Sequence, residues 1–437
     1  MKLLKKIVFI VIGLIALIAI GLYLFLKVRE SRSKNSLVHR ESEYVMKIAV
    51  DNILTDIAWN AILNPGYYSG TDSTQRVKDG LGKRTDWGVS IPSSVYLFSL
   101  KNDTNVWYAW LTVEDQSKLH LFASDLLGKE SADIEEENEL WWIRGNDDKV
   151  VMLGDSKNVL VALSTDKTDK KERMLGIWKQ QATSMTAIKT LTDFKFESSG
   201  DVQWMQRGKK VVGSLSFAKG MISGDLSVSN SLLRLPKEAK VRELPASNVL
   251  NIYCQADIRP LLEKYRASLL RYNVPVDTLN NYYGGYLDLQ WRTGEVLQTD
   301  SIIAYDYDEN FNPIEKAELR EEQVPNIVFT CIASPHLAGY LPEKMFYKFN
   351  KVIQGNQISL STASNVKNEY AYLSSDRAFL FSYVRHDDAK RYLGWIPQLD
   401  KIEKMEISGR GTGSSNRFDM EVELNEKSIH ALYQFFN

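Results

Sequence analysis

Runs of apolar residues with a two-residue repeat dominate the body of the chain and predict β-strands. The segment Asn105–Val113 is apolar on both faces, which is typical of a central strand that is covered on both sides. Glycines punctuate an alternating pattern from Phe194 to Val228, where we expect further strands joined by turns. Other predicted strands cover Ser94–Leu100, Leu140–Arg144, Lys149–Gly154 and Asn158–Ser164.

Helical spacing of apolar residues is found in fewer places. It recurs from Met46 to Ala61 and predicts a helix over Glu41–Leu63, which Pro65 and Gly66 bring to an end. Further helices are predicted over about Gln116–Leu127, Asp169–Gln181 and Asp257–Tyr272, and after Asn425, with Asp257 and Asn425 as N-caps of the last two. The chain is therefore expected to contain both sheets and helices.

Four segments of the first half recur in the same order in the second half, displaced by about 220 residues. The matched pairs are Ala61–Gly70 with Asp277–Gly285, Val106–Leu111 with Ile327–Ile332, Val151–Ser164 with Ala371–Val384, and Lys167–Trp178 with Arg385–Ile396. Each pair alone contains few identities, but four ordered matches at a nearly constant offset rarely arise by chance. The body is therefore predicted to be one α+β unit written twice.

The predicted fold class is α+β, with an N-terminal transmembrane helix followed by two copies of a related mixed or antiparallel sheet-plus-helix domain. Two prolines and several charges in the segment 234–247 mark the boundary between the copies. The predicted organisation is a cytoplasmic tail (1–6), a transmembrane anchor helix (7–26), a tether (27–43), a first α+β repeat (44–233), a linker (234–247) and a second α+β repeat (248–437).

The segment Ile7–Leu26 has no charged residue and would reach ~30 Å as a helix, which matches the hydrocarbon core of a bilayer. A cleaved signal peptide would have a shorter apolar stretch and a small-x-small cleavage site, and neither is found here. We therefore predict a single-pass protein of the inner membrane, held by this segment. Basic residues on both sides barely distinguish its orientation, but the short tail favours an extracytoplasmic, periplasmic body.

Charge is distributed unevenly along the chain. Of the 54 basic and 55 acidic residues, eight basic and one acidic fall within the first 40 positions, so the body is mildly acidic. Nucleic-acid binding needs a basic surface, so we do not expect this chain to bind nucleic acid. The expected partners are the membrane, through Ile7–Leu26, and a protein of the cell envelope.

The layout of a short basic tail, one apolar helix and a tandem, aromatic-rich α+β body, with "YDYDENFNP" ahead of an acidic stretch, resembles the uncharacterised single-pass, tandem-repeat envelope proteins of Bacteroidetes-like Gram-negative bacteria. The resemblance implies a periplasmic location. Those families, which consist of domains of unknown function, have no assigned activity. The resemblance therefore implies no chemistry.

The segment "DYDENFN" is the best candidate for a metal site. Its polar side chains alternate as at the first, third, fifth and seventh positions of a calcium loop, and they are Asp306, Asp308, Asn310 and Asn312. However, Phe311 stands at the sixth position, where the loop needs glycine, and Ala317 stands at the twelfth, where it needs glutamate. We therefore predict a polar hairpin and no metal site.

No other pattern indicates chemistry. The histidines lack partners at metal-ligand spacing; they are His39, His120, His336, His386 and His430. Gly409–Gly413 lies between two strand patterns and is predicted to be a hairpin turn. Cys254 and Cys331 are expected to be buried thiols, with a disulfide as the alternative if their strands are neighbours. We assign no catalytic, cofactor-binding or metal-binding residue and no cofactor.

These observations predict a membrane-anchored, extracytoplasmic and non-catalytic protein that acts as an envelope scaffold or protein-interaction module. The alternative is a carrier or sensor of a lipid-like hydrophobic ligand in the periplasm, which would need an apolar cavity. Eight of the ten tryptophans lie in the first half, where they could fill a core or line such a groove. An enzyme with dispersed residues would require carboxylates or a histidine to converge in a pocket.

Overall fold

The computed structural model describes residues 21, 24–69, 87–128, 134–145, 147–196, 200–231, 233–272, 274–307, 313–341, 347–364 and 371–436. For residues 301–307, 313–318 and 436, the description is limited to the backbone. The chain divides into two compact units. Unit 1 contains residues 1–219 and 428–437, and unit 2 contains residues 220–427.

Unit 1 is built on an antiparallel sheet. Its strands are β1 (Leu37–His39), β2 (Ser42–Ile48), β3 (Val89–Ser90), β4 (Val95–Leu100), β5 (Asp103–Val113), β6 (Glu135–Glu137), β7 (Leu140–Arg144), β8 (Val150–Gly154), β9 (Asn158–Ser164), β10 (Met185–Ala187), β11 (Val202–Gln206) and β12 (Val211–Ala218). Neighbouring strands follow the order β12-β11-β2-β4-β5-β9-β8-β7-β6. β3 also pairs with β5, and β1 pairs with β10.

Unit 2 contains a second antiparallel sheet. Its strands are β13 (Met221–Ser229), β14 (Ala239–Arg242), β15 (Leu250–Gln255), β16 (Tyr283–Tyr307), β17 (Pro313–Ala333), β18 (Asn350–Gln354), β19 (Gln357–Ser361), β20 (Tyr372–Ser375), β21 (Phe379–Val384), β22 (Ile402–Gly411) and β23 (Ser415–Leu424). The order is β13-β23-β22-β21-β15-β16-β17-β19-β18, and β14 pairs separately with β20.

The described part of the chain also contains helices. They are α1 (residues 24–33), α2 (Val50–Leu63), α3 (Pro65–Tyr68), α4 (Gln116–Leu127), α5 (Lys171–Lys179), α6 (Gln181–Ser184), α7 (Arg259–Lys264), α8 (Arg266–Arg271), α9 (Val276–Tyr282), α10 (Asp387–Leu393) and α11 (Ala431–Phe436). The boundaries predicted for α4 are confirmed. Its N-cap Asp115 accepts a hydrogen bond from the Lys118 N–H, and Gly128 ends the helix at φ 61°, a conformation that glycine adopts without strain.

Apolar side chains cover both faces of the unit 1 sheet. Consecutive residues of β9 enter different clusters, with Val159 beside Trp141 and Leu160 beside Tyr108. Because consecutive side chains in a strand point to opposite faces, these clusters lie on the two sides of the sheet. β5 contributes residues to both clusters, which confirms the prediction of a central strand covered on both sides.

The predicted α+β class is wrong. The described chain consists mostly of antiparallel sheet, and its helices are accessories to the sheet. The predicted helix over Glu41–Leu63 contains a strand, because residues 42–48 pair with β4 and β11 before α2 begins. The apolar residues there fit either repeat, and tertiary pairing decided in favour of the strand.

Two further helix predictions differ from the structure. The stretch Asp257–Tyr272 forms α7 and α8, two six-residue helices, and Ile258 stands at the N-cap position of the first. Asn425 does not cap a helix. It donates a hydrogen bond to the Asp400 carbonyl over 2.7 Å, and α11 begins only at Ala431.

No helix in the described part of the chain is long and apolar enough to cross a membrane. This finding contradicts the predicted transmembrane helix, the single-pass topology and the location in the inner membrane with a periplasmic body. Of the predicted anchor, residues 7–20, 22 and 23 lie outside the described residues. Residues 24–26 belong to α1, which continues through Lys27, Arg29 and Glu30.

Candidate functional site

The calcium-loop candidate lies at the end of the β16–β17 hairpin. Asp306 belongs to β16 and lies opposite Ile314 of β17. Its predicted companions, Asp308, Asn310 and Asn312, lie outside the described residues. Among the residues that are described, no group of three or more His, Cys, Asp or Glu could hold a metal ion. The absence of metal binding at this hairpin stays a prediction.

The predicted hairpin is formed by β22 and β23, but Gly409–Gly411 still pair within β22 and the turn covers residues 412–414. Four of the five histidines have local structural roles. His39 and His386 accept hydrogen bonds from nearby backbone N–H groups, and the rings of His120 and His336 lie against aromatic side chains. The fifth, His430, belongs to the arrangement described below.

Cys254 and Cys331 occupy β15 and β17, on either side of β16. Both lie directly opposite Leu287. Two strand spacings separate their Cα atoms by ~9–10 Å, which exceeds the reach of a disulfide. Both thiols are free, and burial raises the pKa of each to about 11.

The most unusual surface of unit 1 is provided by α2. Four large apolar side chains of this helix are well exposed: Leu54 (58%), Trp59 (60%), Ile62 (67%) and Leu63 (61%). At 100° per residue they lie within one half of the helix circumference, and the opposite half carries further apolar residues such as Ile53 and Ile57. The solvent face of a surface helix normally carries polar and charged residues.

A buried asparagine of α2 binds the C-terminal segment of the chain. Asn60 is the one buried residue of the helix, at 1% exposure. Its Nδ2 donates to the Ser428 carbonyl over 2.8 Å, and its Oδ1 accepts from the His430 N–H over 2.8 Å and from the Tyr68 hydroxyl over 2.5 Å. The C-terminal segment 428–436 is thereby attached to α2.

A cleft of about 440 Å³ opens beside the N-terminal half of α2. Its lining comprises Leu26, Lys27 and Glu30 of α1, Lys47 and Ala49, Asp51, Asn52, Thr55 and Asp56 of α2, Ser93 and Ser94, and Asp201. Within this lining, the Asp51 carboxylate accepts two hydrogen bonds from Arg29, at 2.8 and 2.9 Å. The lining is thus mostly polar and carries both signs of charge.

Charges in this cleft are partly withdrawn from water. Burial lowers the pKa of Lys47. Burial also raises the pKa of Asp201, although the Phe217 N–H donates to its carboxylate over 2.7 Å and opposes the shift. The nearby Asp56 carboxylate raises the pKa of Asp201 further. The cleft can therefore hold polar groups, but its charged side chains form no nucleophile–base pair in the geometry that covalent catalysis needs.

His430 lies near Asp56 and Asp201, two acidic residues that line this cleft. Its side chain is 2% exposed, and neither ring nitrogen has a hydrogen-bond partner among the described residues. Burial lowers the pKa of His430, while the Asp56 and Asp201 carboxylates and the backbone of Phe217 oppose that shift. A buried histidine without hydrogen bonds carries a free-energy penalty, so its position needs an explanation.

Sequence reasoning missed Asn60 and His430. An asparagine in the middle of a helical pattern is a weak signal for a buried site, since asparagine favours turns and helix caps. The contact between the two residues joins positions 370 apart, which no local pattern can predict. Comparison of the chain with protein-family models, with curated proteins and with solved structures gives no match.

Proposed function

We propose that the chain is a non-catalytic protein-interaction module that binds a helix of a partner protein on the exposed face of α2. The observation that carries this proposal is the set of four large apolar side chains on that face, Leu54, Trp59, Ile62 and Leu63, each more than half exposed. Exposed apolar patches of this kind mark interaction sites on protein surfaces. A tryptophan near the centre is a frequent hot spot of such sites.

The shape of this face favours a helical partner. Leu54, Ala58 and Ile62 form one row at four-residue spacing, and Trp59 and Leu63 form the next row. Rows of this kind create the ridges and grooves into which a second helix packs. Asn60 holds α2 in place from the opposite side, so the face is presented by a fixed element.

The charge of α2 favours a basic partner. Its 14 residues include no lysine or arginine, and of its two acidic residues Asp56 is exposed, whereas Asp51 is already paired with Arg29. A second copy of the same helix would bring like charges together, whereas a helix with Lys or Arg beside its apolar stripe would bring opposite charges together. We therefore propose a partner helix with an apolar stripe and basic flanks.

The other two functional classes have less support. A carrier of a lipid-like ligand would need an apolar cavity, and three clefts of about 390, 440 and 770 Å³ in the described part of the chain are lined mainly by polar and charged side chains. One cleft with a more apolar lining measures about 110 Å³, too small for a lipid chain. Enzymatic chemistry would need a nucleophile or general base at a substrate-sized site, and we propose none.

The proposal is tested by placing a photo-reactive amino acid at Ile62 of the full chain, in the cells that produce it. The matched control carries the same group at Leu126, an apolar residue of α4 that is 52% exposed. We expect a discrete adduct from Ile62 whose cross-linked partner peptide is an apolar helix flanked by Lys or Arg. The Trp59→Ala variant should lower its yield by about tenfold or more.

Equal labelling from Ile62 and Leu126 would contradict a specific docking face. A cross-link between two copies of the chain, together with a dimer mass for the purified protein in light scattering, would replace the partner helix with self-association.

A further inference from the structure

We propose that the C-terminal segment 428–436 is attached to the buried side of α2 at neutral pH and detaches in acid, when His430 takes up a proton. We call this segment the latch. The segment is held by the hydrogen bonds of Asn60 to Ser428 and His430 and of Asn64 to Ser428. It is also held by a tilted ring contact of Tyr433 with Tyr68, whose centroids lie 4.1 Å apart. Its only buried ionisable group in the described structure is His430. The consequence for partner binding rests on the proposed function, but the latch itself does not.

The geometry around His430 opposes a second proton. Neither buried ring nitrogen has a well-aligned hydrogen-bond partner among the described residues, and the Phe217 backbone is the one nearby acceptor that favours the imidazolium, so the charged ring would keep at least one buried donor without an acceptor. Such donors are costly inside a protein. The neutral ring leaves one donor and one acceptor unsatisfied and carries no charge.

Several groups face His430 from the surrounding elements. The carboxylates are Asp56 of α2 and Asp201, just before β11, and Lys219 forms an isolated bridge with the backbone of His430. The two carboxylates favour the imidazolium, and the burial of the ring opposes it. Burial is the larger effect, so the pKa of His430 in the folded chain lies below its ordinary value of 6.5.

Because the pKa of His430 is lowered when the segment is attached, acid weakens the attachment. As the pH falls through about 6.5, an unfolded or detached segment binds a proton that the attached segment does not bind. Attachment therefore weakens from that pH down to the lower pKa of the attached state, by about tenfold for each pH unit between the two values. Asp201 acts in the opposite sense at lower pH, because its raised pKa favours proton uptake by the folded chain.

Release of the segment would alter the docking face. Asn60 would lose two of its hydrogen-bond partners, and α2 would lose its attachment to the segment. The exposed side chains Leu54, Trp59 and Ile62 would then be presented by a mobile helix, which costs more ordering entropy on binding. Partner binding should accordingly weaken in acid.

Hydrogen exchange of the full chain at pH 7.5 and 5.5, corrected for intrinsic rates, tests the latch without any partner. We expect the amides of 428–436 to lose protection at pH 5.5, by up to about tenfold relative to β9, which contains no histidine, in the wild type. The His430→Gln variant should lose this pH response. The matched control His120→Gln, which removes another half-buried histidine of unit 1, should keep it.

If His430→Gln fails to fold, the NMR titration of His430 in the wild type decides. A pKa below 6.5 agrees with the latch, and a pKa above 6.5 overturns it. Unchanged or increased protection at pH 5.5 would also overturn it, since acid would then not weaken the attachment of the segment. Photo-cross-linking from Ile62 at both pH values separates the two proposals. Loss of protection in 428–436 at pH 5.5, without a specific adduct at either pH, would contradict only the docking function.

Discussion

Trp141 of β7 lies directly opposite Gly154 of β8, and the glycine provides the space that the indole fills. A Cβ atom at Gly154 would lie 2.5 Å from Cζ2 of the indole. Trp141 is 1% exposed, and its Nε1 donates to the Asp155 carbonyl over 3.2 Å. The indole is therefore fixed by packing on one side and by a hydrogen bond on the other.

The Gly154→Ala substitution should lower the free energy of unfolding by about 1–3 kcal/mol, because the indole can move away only by leaving its hydrogen bond and its neighbours. The matched control is Gly176→Ala in α5, where a Cβ meets nothing within 4 Å. Alanine there should stabilise the chain by about 0.5–1 kcal/mol, since it has the higher helix propensity. Urea denaturation of both variants gives the two values.

A stabilising effect of Gly154→Ala would show that the sheet around Trp141 is looser than the structure indicates. Equal effects of the two alanines would show that backbone entropy, rather than space, decides at both positions.

Unit 2 contains a buried ion pair. Arg242 of β14 donates to Asp288 of β16 over 3.0 Å, and the two side chains are 1% and 0% exposed. We expect Arg242→Met to lower the stability by about 3–5 kcal/mol at neutral pH, because it leaves the Asp288 carboxylate buried without its cation. The double variant Arg242→Met/Asp288→Leu should recover most of the loss, since an apolar pair of similar volume has no charge to bury.

The pH dependence of the single variant provides a check. Burial raises the pKa of Asp288, and Arg242 counteracts it. Without Arg242 the pKa should rise further, so the folded chain binds a proton before the unfolded chain does, and the loss of stability should shrink as the pH falls. A loss that stays constant from neutral to acidic pH would indicate missing packing instead of an unpaired charge.

The two cysteines should remain reduced and react slowly. Their pKa values of about 11 leave about one thiol in a thousand ionised at pH 8. We expect iodoacetamide to modify Cys254 and Cys331 at least about a hundredfold more slowly in the folded chain than in denaturant. Mass spectrometry of timed samples measures both rates, and a disulfide between the two in a non-reducing peptide map would contradict the separation across β16.

The strands were easier to predict than the helices, for a physical reason. Segments such as Asn105–Val113 bury both faces, so their composition alone identifies them. Residues 42–48 have a pattern that fits a helix and a strand equally well, and their pairing with two distant strands settles the choice. The site was beyond prediction, because it depends on the contact of Asn60 with the opposite end of the chain.

The internal repeat stays a prediction, and the strand orders bear on how it would be aligned. The matched strands β5 and β17 have similar neighbours, since each lies between its hairpin partner and a later strand, β9 or β19. The matched segments Val151–Ser164 and Ala371–Val384 differ, because β9 pairs with β5, whereas β21 pairs with β15 and β22. If the repeat exists, β18 and β19 are the counterparts of β8 and β9.

Calcium should have no effect on stability. The hairpin that carries Asp306 lacks the glycine and the bidentate glutamate of a calcium loop. Thermal melts of the wild type with calcium and with a chelator should coincide. An increase of several degrees with calcium, abolished by Asp306→Ala, would establish a site at this hairpin.

The Asn60→Ala variant measures how firmly the C-terminal segment is held. The substitution removes the hydrogen bonds of Asn60 to the Ser428 carbonyl, from the His430 N–H and from the Tyr68 hydroxyl. The Ser428 carbonyl keeps a longer bond from Asn64, whereas the His430 N–H loses its acceptor. We expect it to lower the free energy of unfolding by about 1–3 kcal/mol, which is the usual result of leaving buried polar groups unsatisfied. Hydrogen exchange should locate the loss at residues 428–436 and in α2.

The control Asn52→Ala changes an exposed residue of the same helix and should shift the stability by less than about 0.5 kcal/mol. If both variants behaved alike, helix propensity would account for the effect, and the attachment of the segment to α2 would have to depend on the contacts of Tyr433 with Tyr67 and Tyr68.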